Sequence, residues 1–339
     1  MPKVEVIAPT KLPNWLTAPW ERVQENARID RLGHAVLLSG PKGVGKQILA
    51  EHIRKLALCG KRSVPACGNC RSCEVAAAGN HADDHAVVLP EDKKNISVDQ
   101  IRHLISKLGL SPSYENRKFA LVYPAEAMTN AAANALLKTL EEPPGDTLLV
   151  LVSHNVSTLP ATVMSRCQVI QCGAPEHSEG RAWLTESAGT TKGDVCLMLA
   201  GGAPFQALKY YEQGVEEVYS SVIEDISRLR NDASDLVAVA SGWSDVHLDV
   251  RLLSLYAVLK QLVLEALDLD GELAHKSELK SLRMKEGQIK LSSLLGYQDA
   301  VVRARASLDG PLNQQLMLEK LLAPWSNGFR TQGLEYRNP

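Results

Sequence analysis

The chain carries almost no net charge. Its 37 Lys plus Arg against 39 Asp plus Glu leave −2 over 339 residues. Tight, stand-alone, sequence-blind binding to nucleic acid rests on cationic contacts to phosphates, so this class is disfavoured, although contact within a larger assembly stays open. Long apolar runs are missing too. Residues 1 to 17 hold two lysines and no stretch of signal-peptide length. The greasiest segment, 248 to 269, is interrupted by Asp249, Arg251, Lys260, Glu265 and Asp268, which does not suit a membrane span. The expectation is a cytoplasmic protein with no membrane partner. There is no internal repeat and no low-complexity tract. With 45% apolar and 22% charged residues the composition is ordinary for a globular protein, which excludes collagen, coiled coil and disorder. The length suggests two or three domains.

What is present in the first half is alternation. Ala35-Val36-Leu37-Leu38 is a short apolar strand ending in a glycine turn at Gly40, and a helix is expected from Lys46 to about Cys59. His85 to Leu89, Phe119 to Tyr123, Leu148 to Val152 and Gln168 to Ile170 read as further strands. Ser97 and Gln100 have capping-box spacing before Ile101, Leu104, Ile105 and Leu108, which recur with helical period. Asn134 to Glu142 is a helix stopped by Pro143-Pro144. Short apolar strands separated by helices predict an α/β domain whose parallel sheet is covered on both faces. After Cys172 the alternation ends. Gly173-Ala174-Pro175 reads as a linker, with short helical candidates at Arg181–Glu186 and Val195–Ala200. From about residue 214 the pattern is helical throughout, with apolar stripes at Leu252, Leu253, Tyr256, Leu259, Val263 and Leu267 and over Leu312–Leu322. The boundaries expected are 1–173, 174–213 and 214–339.

Gly40-Pro41-Lys42-Gly43-Val44-Gly45-Lys46 matches G-x-x-x-x-G-K between a strand and a helix, the context a phosphate loop requires. Gly40, Gly43 and Gly45 let backbone N–H groups face a phosphate, the helix N-terminus adds positive charge, and Lys46 reaches the terminal phosphates. A glycine turn that merely joins strand to helix is the plainer alternative. The next position should be Ser or Thr to ligate magnesium, and here it is Gln47. The strand ending at Tyr123 should deliver a carboxylate for the metal, with a second beside it. Pro124 and Ala125 stand there instead, and Glu126 comes one or two positions late. Losing one electrostatic stabiliser costs about 100- to 1,000-fold in rate, and here three such groups are altered. No intrinsic ATPase activity is expected, and whether the loop still binds ATP or ADP is open.

Four of the seven cysteines cluster at Cys59, Cys67, Cys70 and Cys73. In a reducing compartment such clustering points to metal rather than disulfides. Four thiolates make a closed tetrahedral zinc site with no open position, hence a structural role. An iron–sulfur site would want a further cysteine followed by proline, whereas Cys73 is followed by Glu74-Val75-Ala76. Four unrelated buried thiols are the alternative.

The string Asn134-Ala135-Leu136-Leu137-Lys138-Thr139-Leu140-Glu141-Glu142-Pro143-Pro144 resembles the signature helix of bacterial clamp-loader AAA+ subunits, and Ser165-Arg166-Cys167 is similar to their S-R-C motif. With the cysteine module, the degenerate acidic motif, Trp15-Leu16 and Arg31-Leu32-Gly33-His34-Ala35, the chain resembles the delta-prime branch of that family over essentially its whole length. The resemblance implies a RecA-like AAA+ domain, a small helical lid and an all-helical C-terminal collar that oligomerises. It implies a non-hydrolysing stator in a hetero-pentamer with gamma or tau and delta subunits, part of a DNA-directed DNA polymerase holoenzyme, which loads the beta sliding clamp onto primed DNA. It also implies that Arg166 reaches the ATP of a neighbouring subunit, where a guanidinium neutralises charge developing in phosphoryl transfer. Without the resemblance, Arg166 would be read as a surface cation paired with a local carboxylate. Ser153 stands where a polar sensor is expected, and the lid segment Gly202 to Leu208 lacks a sensing arginine.

Two other functions compete. An active gamma- or tau-type ATPase would need Ser or Thr at 47 and carboxylates at 124 and 125. A zinc-dependent nucleic-acid module would need a basic surface; Lys61, Arg62 and Arg71 are opposed by Glu74, Asp83 and Asp84.

Overall fold

A computed structural model describes residues 11–90, 92–114, 117–191, 193–232, 235–245, 247–267, 269, 291–308, 310 and 313–326. The chain divides into two compact units, Met1–Glu176 and His177–Pro339.

In the first unit the described elements run α1 (Thr17–Arg28), β1 (Ala35–Ser39), α2 (Lys46–Leu58), α3 (Arg71–Ala77), β2 (Asp84–Val88), α4 (Val98–Leu108), β3 (Lys118–Tyr123), α5 (Asn130–Glu141), β4 (Thr147–Ser153), α6 (Ala161–Met164) and β5 (Gln168–Gln171). The five strands form one parallel sheet in the order β2-β3-β4-β1-β5. Every residue of β1 and β4 is buried, as expected for central strands covered on both faces. The edge strands β2 and β5 are more exposed. Ser39 is in register with Ser153 and Gln171, and Val88 with Tyr123. The shared register brings the carboxyl ends of the strands to one edge, where parallel α/β sheets place their ligands.

Local chemistry accounts for the helices around this sheet. Ser97 caps α4 through the full capping box with Gln100, a device whose cap residue contributes about 1 kcal/mol. Helix α5 starts four residues earlier than the sequence suggested, because the Thr129 hydroxyl accepts the Ala132 N–H at 3.2 Å. Alanines 131 to 133 carry no apolar period of their own, so the cap rather than the pattern sets the start. Two short helices have no counterpart in the sequence pattern. The stretch before Ser165 is a four-residue helix, α6, three residues ahead of β5. Helix α3 begins inside the cysteine module, capped by Cys70.

The second unit contains, among its described residues, α7 (His177–Ala188), α8 (Asp194–Leu199), α9 (Pro204–Glu212), α10 (Val215–Asn231), α11 (Leu236–Asp245), α12 (Leu248–Ala266), α13 (Leu291–Ala306) and α14 (Gln314–Ser326). They share one apolar core from Leu184 to Trp325. Trp243 and Trp325 are fully buried, and each indole N–H finds an acceptor: Asp225 Oδ2 at 2.8 Å and the Tyr297 hydroxyl at 2.9 Å. Burying them without partners would be costly. Along α12 the buried face is Leu252, Leu255, Val258, Leu259 and Leu262, whereas Leu267 is exposed. Of the expected stripe, Leu252, Leu259 and Val263 are buried, and Leu253 and Tyr256 pack partly buried against the same core. Leu312 of the last stripe lies outside the described residues. No described helix is long and apolar enough to cross a membrane.

Candidate functional site

The glycine-rich loop expected to hold phosphate leaves β1 at Ser39 and enters α2 at Lys46. At Gly40 the backbone passes so close to the end of β5 that a Cβ would sit 1.9 Å from the Cys172 carbonyl oxygen, so only glycine fits. Gly45, the N-cap of α2, has φ 91°, a conformation side chains disfavour. The Trp15 indole donates to Val44 O at 2.9 Å and ties the start of the chain to the loop.

Lys46 is buried and donates to two carbonyls of its own loop, Gly40 O at 2.5 Å and Pro41 O at 2.6 Å. Burial pushes its ammonium down to about 8, partly offset by Cys172 and by the Glu126 carboxylate. Gln47 follows on α2, half-buried. Across the loop, Pro124 and a buried Ala125 occupy the two positions after β3. Glu126 Oε1 accepts the His154 N–H at 2.9 Å, and Oε2 is buried with no partner among the described residues. The late carboxylate therefore does reach the site, but its aim is set by the turn at β4's end. Ser153 is fully buried and its hydroxyl accepts the Asn155 N–H at 3.2 Å.

Sequence reasoning passed over His154. Its Nε2 lies 3.2 Å from the Tyr123 hydroxyl, and its Nδ1 is buried without a partner among the described residues. The available signal was its position, immediately beyond a central strand on the ligand edge of a parallel sheet. Burial, then the Lys46 and Lys42 cations, hold its imidazole down to about 4, against an upward pull from Glu126. An unfolded histidine takes its proton near 6.5. The unfolded chain thus binds more protons between about 6.5 and 4, and stability is lost as pH falls through that window. Replacing His154 with Gln is expected to flatten the fall of the urea midpoint between pH 7 and 4.5; an unchanged slope would show that His154 does not titrate this way.

The four cysteines converge. Their Sγ atoms all lie within 4.8 Å of one another, with Cys59–Cys67 at 3.6 Å and Cys67–Cys73 at 3.9 Å. Zn–S bonds of about 2.3 Å in a tetrahedron put sulfurs about 3.8 Å apart, so the cluster fits a zinc ion nearly as it stands. Cys59 closes α2, and Cys70 and Cys73 open α3. Burial opposes ionisation of Cys59, yet the Cys67 N–H, the Ser63 hydroxyl and further backbone N–H groups bring its thiol down to about 6. Burial likewise opposes Cys70, and hydrogen bonds led by the Cys73 N–H bring it down to about 7. Cys73 is pushed up to about 12 by burial and by the neighbouring sulfurs. The remaining cysteines stand outside the cluster, and burial pushes Cys167 and Cys196 up to about 12 and Cys172 to about 11. Behind the module, Ser72 Oγ donates to Leu58 O at 2.5 Å and accepts from His81 Nε2 at 2.7 Å. That hydroxyl joins the second pair of cysteines to the end of α2.

Arg166 lies on the turn between α6 and β5. Its Nε donates to Glu141 Oε1 at 2.7 Å, Nη2 donates to the same oxygen, and Nη1 donates to Thr162 O at 2.9 Å. Within the isolated chain Arg166 is therefore a surface cation paired with a local carboxylate. The segment from Gly202 to Leu208 runs into the start of α9, where Phe205 packs on Trp183.

A family model described as DNA polymerase III, delta subunit, matches residues 16–175. A Pseudomonas aeruginosa protein named DNA polymerase III subunit delta' is 35% identical over 324 residues, covering 92% of this chain and 97% of that one. The Escherichia coli protein of the same name is 31% identical over 201 residues, 58% of this chain and 60% of that one. Among solved structures, a Thermotoga maritima protein described as related to the DNA polymerase III gamma subunit aligns with 92% of this chain and 100% of that one, at 22% identity and a TM-score of 0.44.

Proposed function

The chain belongs to the DNA polymerase III delta-prime family, and from that premise we propose that it is a non-hydrolysing subunit of the loader that places the beta sliding clamp on primed DNA. The observation that carries the loss of hydrolysis is the end of β3. Pro124 and Ala125 put no carboxylate where a magnesium ion would need one, and the single nearby acid, Glu126, is engaged by the His154 N–H. Gln47 removes the hydroxyl ligand from the other side of the metal position. A gamma- or tau-type ATPase would require all three groups restored.

In this assignment the chain lends chemistry instead of performing it. It sits as a stator in a hetero-pentamer with gamma or tau and delta subunits, and Arg166 completes the ATP site of its neighbour. After the nucleotide domain, residues 174–213 serve as a lid and 214–339 as a collar that holds the ring together. Gly40, Gly43, Gly45 and Lys46 keep the shape of a nucleotide cradle. Cys59, Cys67, Cys70 and Cys73 hold one zinc ion, which when bound is a structural cross-link of four thiolates and offers no open coordination position.

Lys46→Ala tests the silent site. The purified chain is expected to show no ATP turnover. The variant should leave DNA-stimulated turnover of the reconstituted loader within about twofold, since the group acts on no reacting phosphate. A loss of about 100-fold, the scale expected when one electrostatic stabiliser leaves a working site, would return the chain to the hydrolysing class.

A further inference from the structure

Glu141 is placed where helix physics does not want it. It is the last residue of α5, where the helix dipole presents its negative end and repels a carboxylate. It is also half-exposed, so no burial holds it there. What it does hold is Arg166, by two N–H groups on one oxygen, Oε1. The backbone under the guanidinium is fixed independently: the Ser165 N–H bonds Ala161 O at 2.9 Å and the Arg166 N–H bonds Val163 O at 3.2 Å. Thr162 O takes an Nη1 proton from the opposite side.

We propose that Glu141 is a positioning residue for Arg166: it grips the Nε–Nη2 edge of the guanidinium so that the Nη1–Nη2 end is left to meet a phosphate on the adjoining subunit. A guanidinium has five N–H donors in a planar fork. Glu141 takes one from Nε and one from Nη2, and Thr162 O takes one from Nη1. One donor remains on Nη2, and the second on Nη1 meets only Ser165 Oγ at 3.4 Å, a long contact that a phosphate oxygen can replace. Those two are spaced for bidentate contact with two phosphate oxygens. An unclamped arginine would have to find that orientation from many rotamers at each turnover; the carboxylate removes this search before the neighbour docks. Glu141 never touches the nucleotide in this scheme. This proposal rests on the trans role given to Arg166 above.

The test is a double-mutant cycle in the reconstituted loader with primed DNA, reading kcat and KM for ATP. Glu141→Ala should lower kcat about 10- to 100-fold, the scale of a misaligned catalytic group, with KM little changed. Glu141→Gln keeps a carbonyl oxygen in place of Oε1 and should recover most of the loss. In an Arg166→Ala background, Glu141→Ala should add nothing. Equal losses from Glu141→Ala in both backgrounds would show that it acts apart from Arg166 and would overturn the proposal. So would unchanged or faster turnover, the latter marking Glu141 as a competitor that holds the arginine back. If Arg166→Ala alone leaves turnover intact, the trans role itself fails and the positioning role falls with it, a result readable without any Glu141 variant.

Discussion

Arg166→Ala is expected to lower ATP turnover at the neighbouring subunit's site about 1,000-fold or more in the assembled loader, the scale measured for arginine fingers in phosphoryl transfer. The loss should be confined to kcat. A finger acts on charge that develops only as the γ-phosphoryl group leaves, so ground-state nucleotide binding is expected to change little. Primed DNA should still bind the assembled ring. Turnover equal to that of the unaltered loader would remove the trans role and return Arg166 to its local pair with Glu141.

The same substitution should barely touch the fold, which makes the experiment interpretable. The Arg166–Glu141 pair is exposed at both partners, 33% and 51% at the side chains, and pairs of this kind contribute only about 0–1 kcal/mol. The guanidinium fills no part of the core: α6 contributes Val163 to the interior and β5 contributes Ile170, on either side of it. Urea midpoints of the unaltered and substituted chains should therefore agree, and co-purification with loader partners should persist. Lys would not substitute for Arg here. A point ammonium can replace the charge but not the planar fork whose Nε and Nη2 both meet Glu141.

How far the sequence spoke depended on whether function was carried by local pattern or by juxtaposition. The strand, glycine turn and helix around Lys46 were legible residue by residue, because glycines, lysine and both flanking elements are contiguous. The cysteine module was legible for the same reason, although its geometry was not: the helix that opens at Cys70 is seven residues long, too short to show a period. The sheet was legible as strands but not as an order, since β1 lies between β4 and β5, far from it in sequence. Everything that depended on that order was hidden. His154 meets Tyr123 only because β3 and β4 are neighbours. Glu141 and Arg166 are 25 residues apart and meet only because α5 and α6 end at the same edge. Both members of that pair stood in recognisable motifs, yet neither motif says that it faces the other.

Zinc removal is expected to unfold the cysteine module while leaving the sheet standing. From 60 to 70 no residue is fully buried, so hydrophobic burial cannot hold this loop, and its backbone is anchored chiefly through sulfur. The Cys67 N–H rests on Cys59 Sγ and the Cys73 N–H on Cys70 Sγ, each at 3.4 Å. Four sulfurs drawn this close repel one another once ionised, and a dication is what offsets the charge. Structural zinc in small modules contributes about 10–16 kcal/mol of apparent binding free energy near pH 7, ample to order a loop of this length. The purified chain should hold one zinc per molecule, and a strong chelator or Cys67→Ser should release it. Amide exchange should then quicken across residues 60–77, where α3 loses its opening turn, and stay slow in β1, β3 and β4, whose ladders are buried on both sides. Other ties include the Ser72–Leu58, Ser72–His81, Arg54–Ala76 and Arg62–Asp146 hydrogen bonds, and the last is exposed and weak. Absence of stoichiometric metal would remove zinc from the account. Metal loss with unchanged exchange in the module would instead show that packing against α2 suffices, and that the four thiolates are not what holds the loop.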